Sequence, residues 1–232
     1  MNNIIELKNV YKHYITNKKN TILKKINYKF KKGLIYSLVG PSGSGKSTLL
    51  NLLSLIDKPS SGEILINDSI IKFSDFSVND MIRADKIGII YQQNNLLPDF
   101  TALENVYLAR LTVEKNSDKA FIDAKKIIKS FGLSHRHNHF PSELSGGELQ
   151  RIAISRALIN KPEIILADEP TGSLDHSTAK NVFKTLYNLK NKNRLIIYAT
   201  HNRFFANMAD CKLEMIDGNI KTINARTRKS EI

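Results

Sequence analysis

LIYSLVGPSGSGKSTLLNLLSLI, residues 34–56, runs from an apolar stretch through three closely spaced glycines into a leucine-rich segment with helical spacing. Strand, glycine-rich loop and helix in that order form a phosphate loop. Gly40, Gly43 and Gly45 let the backbone curl so that successive amides point at phosphate oxygens. Pro41, Ser42, Ser44 and Thr48 complete that cradle. Lys46 is expected to reach the β- and γ-phosphates and Ser47 to offer its hydroxyl to Mg2+, while the helix N-terminus adds its dipole.

Outward from this loop, polar residues follow short apolar runs. EIILADEP (163–170) ends in Asp168 and Glu169. Beside a phosphate site Asp168 would hold the magnesium shell through water, and Glu169 would orient and polarise the attacking water. KIGIIYQ ends at Gln92 and LIIYATH at His201. A glutamine carbonyl can ligate magnesium and a histidine can contact the γ-phosphate, so both would sense that group. Ligands of open α/β sheets bind at such C-terminal strand ends.

The first ninety residues are β-rich: IIELKNVYKHY, TILKKINYKF, LIYSLVG and GEILIN are broken by the turn-like KKG and KPSSG. From about Leu96 to Asn160 the texture is helical, as in FIDAKKIIKSFGL. Two helix starts are spelled as capping boxes, Thr101 with Glu104 and Ser145 with Glu148. Pro162 stops the second of these helices. EIILADEP and RLIIYATHN then flank the helix STAKNVFKTLYNLK, and such continuous apolar strands imply a parallel sheet covered on both faces. The expected fold is α/β: a P-loop NTPase core with a mainly parallel sheet, an N-terminal antiparallel β layer and an inserted helical lobe. One domain is expected over 1–232, its core and β layer from 1–93 and 161–220, its helical lobe from 94–160. The polar, basic tail 221–232 is expected to fray.

Lys plus Arg number 35 against 22 Asp plus Glu, a net charge of +13, which favours polyanionic partners. The basic residues are not interleaved with aromatics as a single-strand groove requires, so nucleic acid is not expected. Cys211 is the sole cysteine, which excludes an internal disulfide and suits a reducing compartment. No run approaches the ~18 apolar residues of a membrane helix, and the opening MNNIIELKN lacks a signal pattern.

Phosphate loop, strand-end Gln92, LSGGELQR (144–151), Asp168–Glu169, SLD and strand-end His201, in that order, resemble the ATP-binding subunits of ABC transporters over nearly the whole chain. LSGGE is that family's most specific mark. The resemblance implies ATP hydrolysis with ATP and Mg2+, the ion held by Ser47, Gln92 and Asp168. It implies a head-to-tail pair in which Ser145, Gly146 and Gly147 of one copy cap the γ-phosphate on the phosphate loop of the other. It also implies that Asp175 bridges the copies beside the catalytic water, that Gln92 rather than Gln93 is the coupling glutamine, and that a tyrosine stacks on adenine, Tyr14 ahead of nearby Tyr11. Glu148 stands where the family often has glutamine, and Asn202 where aspartate often follows the histidine.

IGIIYQQNNLLPDFTALENV, HRHNHFPSELSGGELQR, LADEPTGSLD and LEMIDGNI are similar to one branch, which serves lipoprotein-releasing systems of Gram-negative bacteria. That similarity implies two membrane-spanning partner subunits of the LolC/LolE kind, lipoprotein touched by those partners alone, and a peripheral place on the cytoplasmic face of the inner membrane. An ATPase of a related efflux or cell-division complex is the alternative; a nucleic-acid-associated member ranks lower. Leu96, Leu97, Pro98 and Phe100 read equally as a groove for a partner's coupling helix and as helical-lobe core. His135, His137 and His139 lack carboxylate or cysteine support for a metal and read as a loop that positions the LSGGE helix.

Overall fold

A computed structural model describes residues 3–15 and 19–225. In chain order the elements are β1 (Asn3–Ile15), β2 (Lys19–Lys31), β3 (Ile35–Val39), α1 (Lys46–Leu53), β4 (Ser61–Ile66), β5 (Ser69–Ile70), α2 (Phe76–Lys86) and β6 (Ile87–Ile90). There follow α3 (Ala102–Leu111), α4 (Ser117–Ser130), α5 (Gly146–Leu158), β7 (Ile164–Asp168), α6 (His176–Asn188), β8 (Leu195–Ala199), α7 (Arg203–Ala206), β9 (Cys211–Ile216) and β10 (Asn219–Ala225). Short 3-10 turns at Ser134–Arg136 and Pro141–Glu143 precede α5. The chain divides into two compact units, residues 1–79 with 190–232 and residues 80–189.

The first unit holds an antiparallel sheet in the order β2-β1-β4-β5 and a set of strands ordered β10-β9-β3-β8. β3 lies parallel to both β8 and β9, with Leu38 level with Ala199 and with Leu213. Its residues Ile35 to Leu38 are buried, the pattern of a strand covered on both faces. Where β2 meets β3, Phe30, Tyr28 and Tyr36 pack edge to face or tilted, and the Tyr36 hydroxyl accepts from the Lys31 amide at 3.0 Å. Burial drives the Tyr36 phenol above its ordinary range.

In the second unit β6 and β7 run parallel, Ile90 level with Ala167. α3, α4 and α5 enclose a core of Ala102, Leu103, Val106, Ala124, Ile128, Leu133 and Ile152, with Leu96 packed against it. Both sequence-spelled capping boxes are formed, Thr101 with Glu104 and Ser145 with Glu148. The buried Asn105 side chain accepts from the Leu97 amide at 2.7 Å and donates to the carbonyls of Leu97, Phe100 and Thr101. The segment before α3 therefore divides. Leu96 belongs to the core, whereas Leu97 and Phe100 are exposed.

Two elements depart from expectation. α2 was not expected, because its apolar Phe76, Val78 and Met81 are exposed and give no core-facing stripe. Residues 221–225 of the expected frayed tail form most of β10, which pairs antiparallel with β9 from Asn219 opposite Ile216 to Ala225 opposite Cys211. Residues 226–232 lie outside the described residues.

Candidate functional site

Within the first unit the phosphate loop leaves the end of β3 and turns into α1. Gly40, Gly43 and Gly45 take φ of 148°, 77° and 101°, backbone that side chains other than hydrogen resist. A Cβ on Gly40 would lie 2.3 Å from the Met215 carbonyl oxygen and 2.9 Å from Ser44 Oγ. Gly45 is the N-cap of α1 and supplies no side-chain cap, so the first-turn amides are left open to a ligand. Lys46 Nζ arches back to donate to the carbonyls of Gly40 at 2.9 Å and Pro41 at 3.0 Å. Ser44 Oγ is buried without a hydrogen-bond partner, while Pro41, Ser42 and Ser47 are exposed and Thr48 half-buried. A cradle a Cβ would fill, an orphaned hydroxyl and open amides suit a phosphate.

His201 reaches the same edge from β8. The Thr200 amide donates to the Leu38 carbonyl at 3.1 Å, which sets exposed His201 level with the start of the loop. Asn202 caps α7 by accepting from the amides of Phe204 and Phe205. Tyr14, at the end of β1, donates its hydroxyl to Asp57 Oδ2 at 2.8 Å and accepts from the Thr48 side chain. Burial and then the Asp57 carboxylate raise its phenol above the usual value. Tyr11 pairs with Ser61 of β4. Of the two tyrosines, Tyr14 is the one tied to the phosphate-loop helix.

Within the second unit the parallel pairing of β6 and β7 puts Gln92 and the Asp168–Glu169 pair at the C-terminal ends of those two strands. Glu169 has φ of 45°, a left-handed conformation costing about 1 kcal/mol for a residue with a Cβ. The Gly172 amide donates to the Glu169 carbonyl at 3.0 Å. A Cβ on Gly172 would stand 3.0 Å from Gln92 Nε2 and 3.4 Å from Glu169 Cβ, so this glycine lets those two side chains converge. Asn94 and Asn95 follow with φ of 53° and 47°. Arg156, on the last turn of α5, donates to their carbonyls at 2.7 and 2.5 Å, and burial lowers its guanidinium's basicity.

Ser145, Gly146 and Gly147 form the exposed start of α5. With Arg151, Asp175 and Thr178 they line a groove of about 880 Å³. A Cβ on Gly147 would meet Thr178 Cγ2 at 2.7 Å, so any larger residue there would make the Thr178 side chain of α6 shift. Asp175 caps α6 through the amides of Ser177 at 3.0 Å and Thr178 at 3.1 Å and accepts from Ser177 Oγ at 2.6 Å. The side-chain and backbone donors of Ser177 and Thr178 hold its carboxyl well below the carboxylate range. Glu148 Oε2 accepts from the Ser145 amide and hydroxyl, both at 2.9 Å, while Oε1 accepts from Arg136 Nε at 2.8 Å. The Ser145 amide first, and then Arg136, hold the Glu148 carboxyl down to about 2.

The histidine-bearing loop is occupied with structure. The carbonyls of His139 and His137 accept from the first amides of α3, Ala102 and Leu103, at 2.8 and 2.9 Å. Among the described residues no group of three His, Cys, Asp or Glu side chains could hold a metal. Ser47, Gln92 and Asp168 offer hydroxyl, amide and carboxylate oxygens, the hard donors that magnesium takes. Sequence reasoning does not single out Arg136, Arg156, Lys12 or Asp57. Each acts through a partner remote in the chain.

A family model described as ABC transporter matches residues 23–172. The lipoprotein-releasing system ATP-binding protein LolD of Rickettsia bellii is 46% identical over 211 residues, covering 90% of this chain and 93% of the relative. The protein of the same name from Shewanella frigidimarina is 39% identical over 224 residues, covering 96% and 94%. Among solved structures, the ATP-binding cassette MJ0796, dimeric in a post-hydrolysis state with ADP and Pi, matches at a TM-score of 0.87 and 36% identity, covering 96% of this chain and all of that one. CbiO1 of Clostridium perfringens, part of the ABC transporter complex cbiONQ, matches at 0.82 and 27%, covering 95% and 88%.

Proposed function

Since this chain belongs to the ABC transporter family, we propose that it is the ATP-hydrolysing subunit of a lipoprotein-releasing transporter, working as a pair on the cytoplasmic face of the inner membrane. The name shared by its relatives supports that cargo. Two membrane-spanning subunits of the LolC/LolE kind would carry the lipoprotein. Among the described residues no helix is long and apolar enough to cross a membrane.

The observation that carries the reading is the start of α5, where Ser145, Gly146 and Gly147 line a broad groove beside Asp175. It has the amide chemistry to take a phosphate held by a second copy's loop. The dimeric state of the cassette MJ0796 supports the pairing. Gly40 to Thr48 bind the triphosphate, with Lys46 swinging from the loop carbonyls to its β- and γ-oxygens. Mg2+, when bound, shields the phosphate oxygens, with Ser47, Gln92 and Asp168 as its holders. Glu169 orients and polarises the attacking water, Gln92 and His201 read the γ-phosphate, and Tyr14 stacks on adenine.

Two or three charge-assisted hydrogen bonds per γ-phosphate, each worth about 1.5–3 kcal/mol, are enough for its loss to open the pair. Glu169→Gln tests this. Steady-state hydrolysis is expected to fall at least about 100-fold, while ATP shifts the protein to a stable dimer on gel filtration. A variant that hydrolyses ATP at the parent rate removes Glu169 from the chemistry, and one that stays monomeric with ATP removes the pairing.

A further inference from the structure

Lys12 stands at a core-facing position of β1, two residues from buried Val10 on one side and Tyr14 on the other, and is only 7% exposed. A lysine so deeply buried needs a partner. Its ammonium lies 2.6 Å from Asp57 Oδ1 and donates to the Lys58 carbonyl at 2.9 Å. It also sits 4.6 Å from the centre of the Tyr14 ring, over its face. The second Asp57 oxygen accepts a hydrogen bond from the Tyr14 hydroxyl at 2.8 Å, and the Lys58 amide donates to Oδ1 at 2.8 Å. Burial pushes the Asp57 carboxyl up, but Lys12, Tyr14 and the Lys58 amide together bring it below the ordinary value.

These contacts fix the ring at three points: edge-on through its hydroxyl, on one face through the ammonium, and toward α1 through Thr48. Tyr14 nevertheless keeps 42% of its surface exposed. Lys12 occupies one face, which leaves the opposite face as the one a flat ligand can use. A cation on one face also draws π density toward itself, which eases stacking of a flat heteroaromatic on the opposite face.

We propose that Lys12 and Asp57 are positioning residues for the nucleobase, bracing Tyr14 so that a single ring face is presented to a purine at a fixed distance from the phosphate loop. This rests on the reading of Tyr14 as the base platform. The brace acts on the base and leaves the phosphates alone. Its signature is therefore the ratio of affinities for ATP and for inorganic tripolyphosphate.

The experiment measures both affinities by calorimetry with Mg2+ on the full chain and on Lys12→Met, Asp57→Asn and Tyr14→Ala. Lys12→Met and Asp57→Asn are each expected to weaken ATP about five- to tenfold and tripolyphosphate less than twofold. If Tyr14→Ala weakens ATP selectively while both brace variants leave the ratio at its parent value, the brace is wrong. If Tyr14→Ala also leaves the ratio unchanged, the base platform is wrong and the brace goes with it. Equal weakening of both ligands by the brace variants overturns the proposal by showing general loosening of the site. Should Lys12→Met fail to fold, Asp57→Asn, which keeps the lysine stem in its packing, decides alone.

Discussion

α1 and α5 both begin with glycine-rich turns, yet they present opposite electrostatics. α1 starts from a left-handed glycine with no side-chain cap and carries the Lys46 ammonium in its first turn. α5 starts from Ser145 in a closed capping box, and its Glu148 carboxylate lies against the serine amide and hydroxyl. The first start offers bare amides and a cation, so it can hold a polyphosphate by itself. At the second, an internal anion already offsets part of the helix's positive end. It can add to a phosphate brought to it with its own cations, but has little means of capturing one alone. Tight capture at one site and conditional recognition at the other are what a reversible clamp needs.

The sharpest way to break this contrast is Lys46→Ala, which removes the cation and leaves two amide-rich helix starts. ATP binding by calorimetry is expected to weaken at least about 100-fold, from the loss of charge-assisted bonds worth about 1.5–3 kcal/mol each. Retained affinity would mean that the amides alone suffice. Ser145→Ala probes the conditional start: turnover should drop about 10- to 100-fold, while ATP affinity of the separate subunit stays within about twofold. A matching loss of affinity would erase the distinction between the two starts.

Glu148→Gln has the smallest effect and sharpens the comparison most. It costs the Arg136 pair about 1 kcal/mol, or about 2–4 °C in Tm near neutral pH. Its clearer trace is in acid. A carboxyl held at about 2 against an ordinary 4.5 gives stability that is complete above pH 4.5 and is lost as pH falls toward 2. Thermal unfolding of the glutamine variant is expected to lose that part of its pH slope. If the slope is unchanged, the carboxylate is not engaged as the structure has it.

The glycine spacing, the strand-end polar residues and both capping boxes are legible in the sequence because each is a local rule: a φ, a period or a three-residue reach decides it. What escapes is set at a distance. The burial of Lys12 depends on Asp57, 45 residues on, and nothing in YKHY distinguishes it from a solvated lysine. The role of Arg156 is fixed by the carbonyls of Asn94 and Asn95, more than 60 residues back. α2 escapes for another reason. Its large apolar residues face outward, so the pattern that marks a helix by its buried side is missing.

Arg156 makes α5 more than the bearer of a serine. The helix has 13 residues, about 20 Å from end to end. Its far turn grips the strand-to-helix connection just after Gln92, while its near turn ends at Ser145. Two guanidinium bonds thus tie Asn94 and Asn95 to the same rigid element whose opposite end presents the serine.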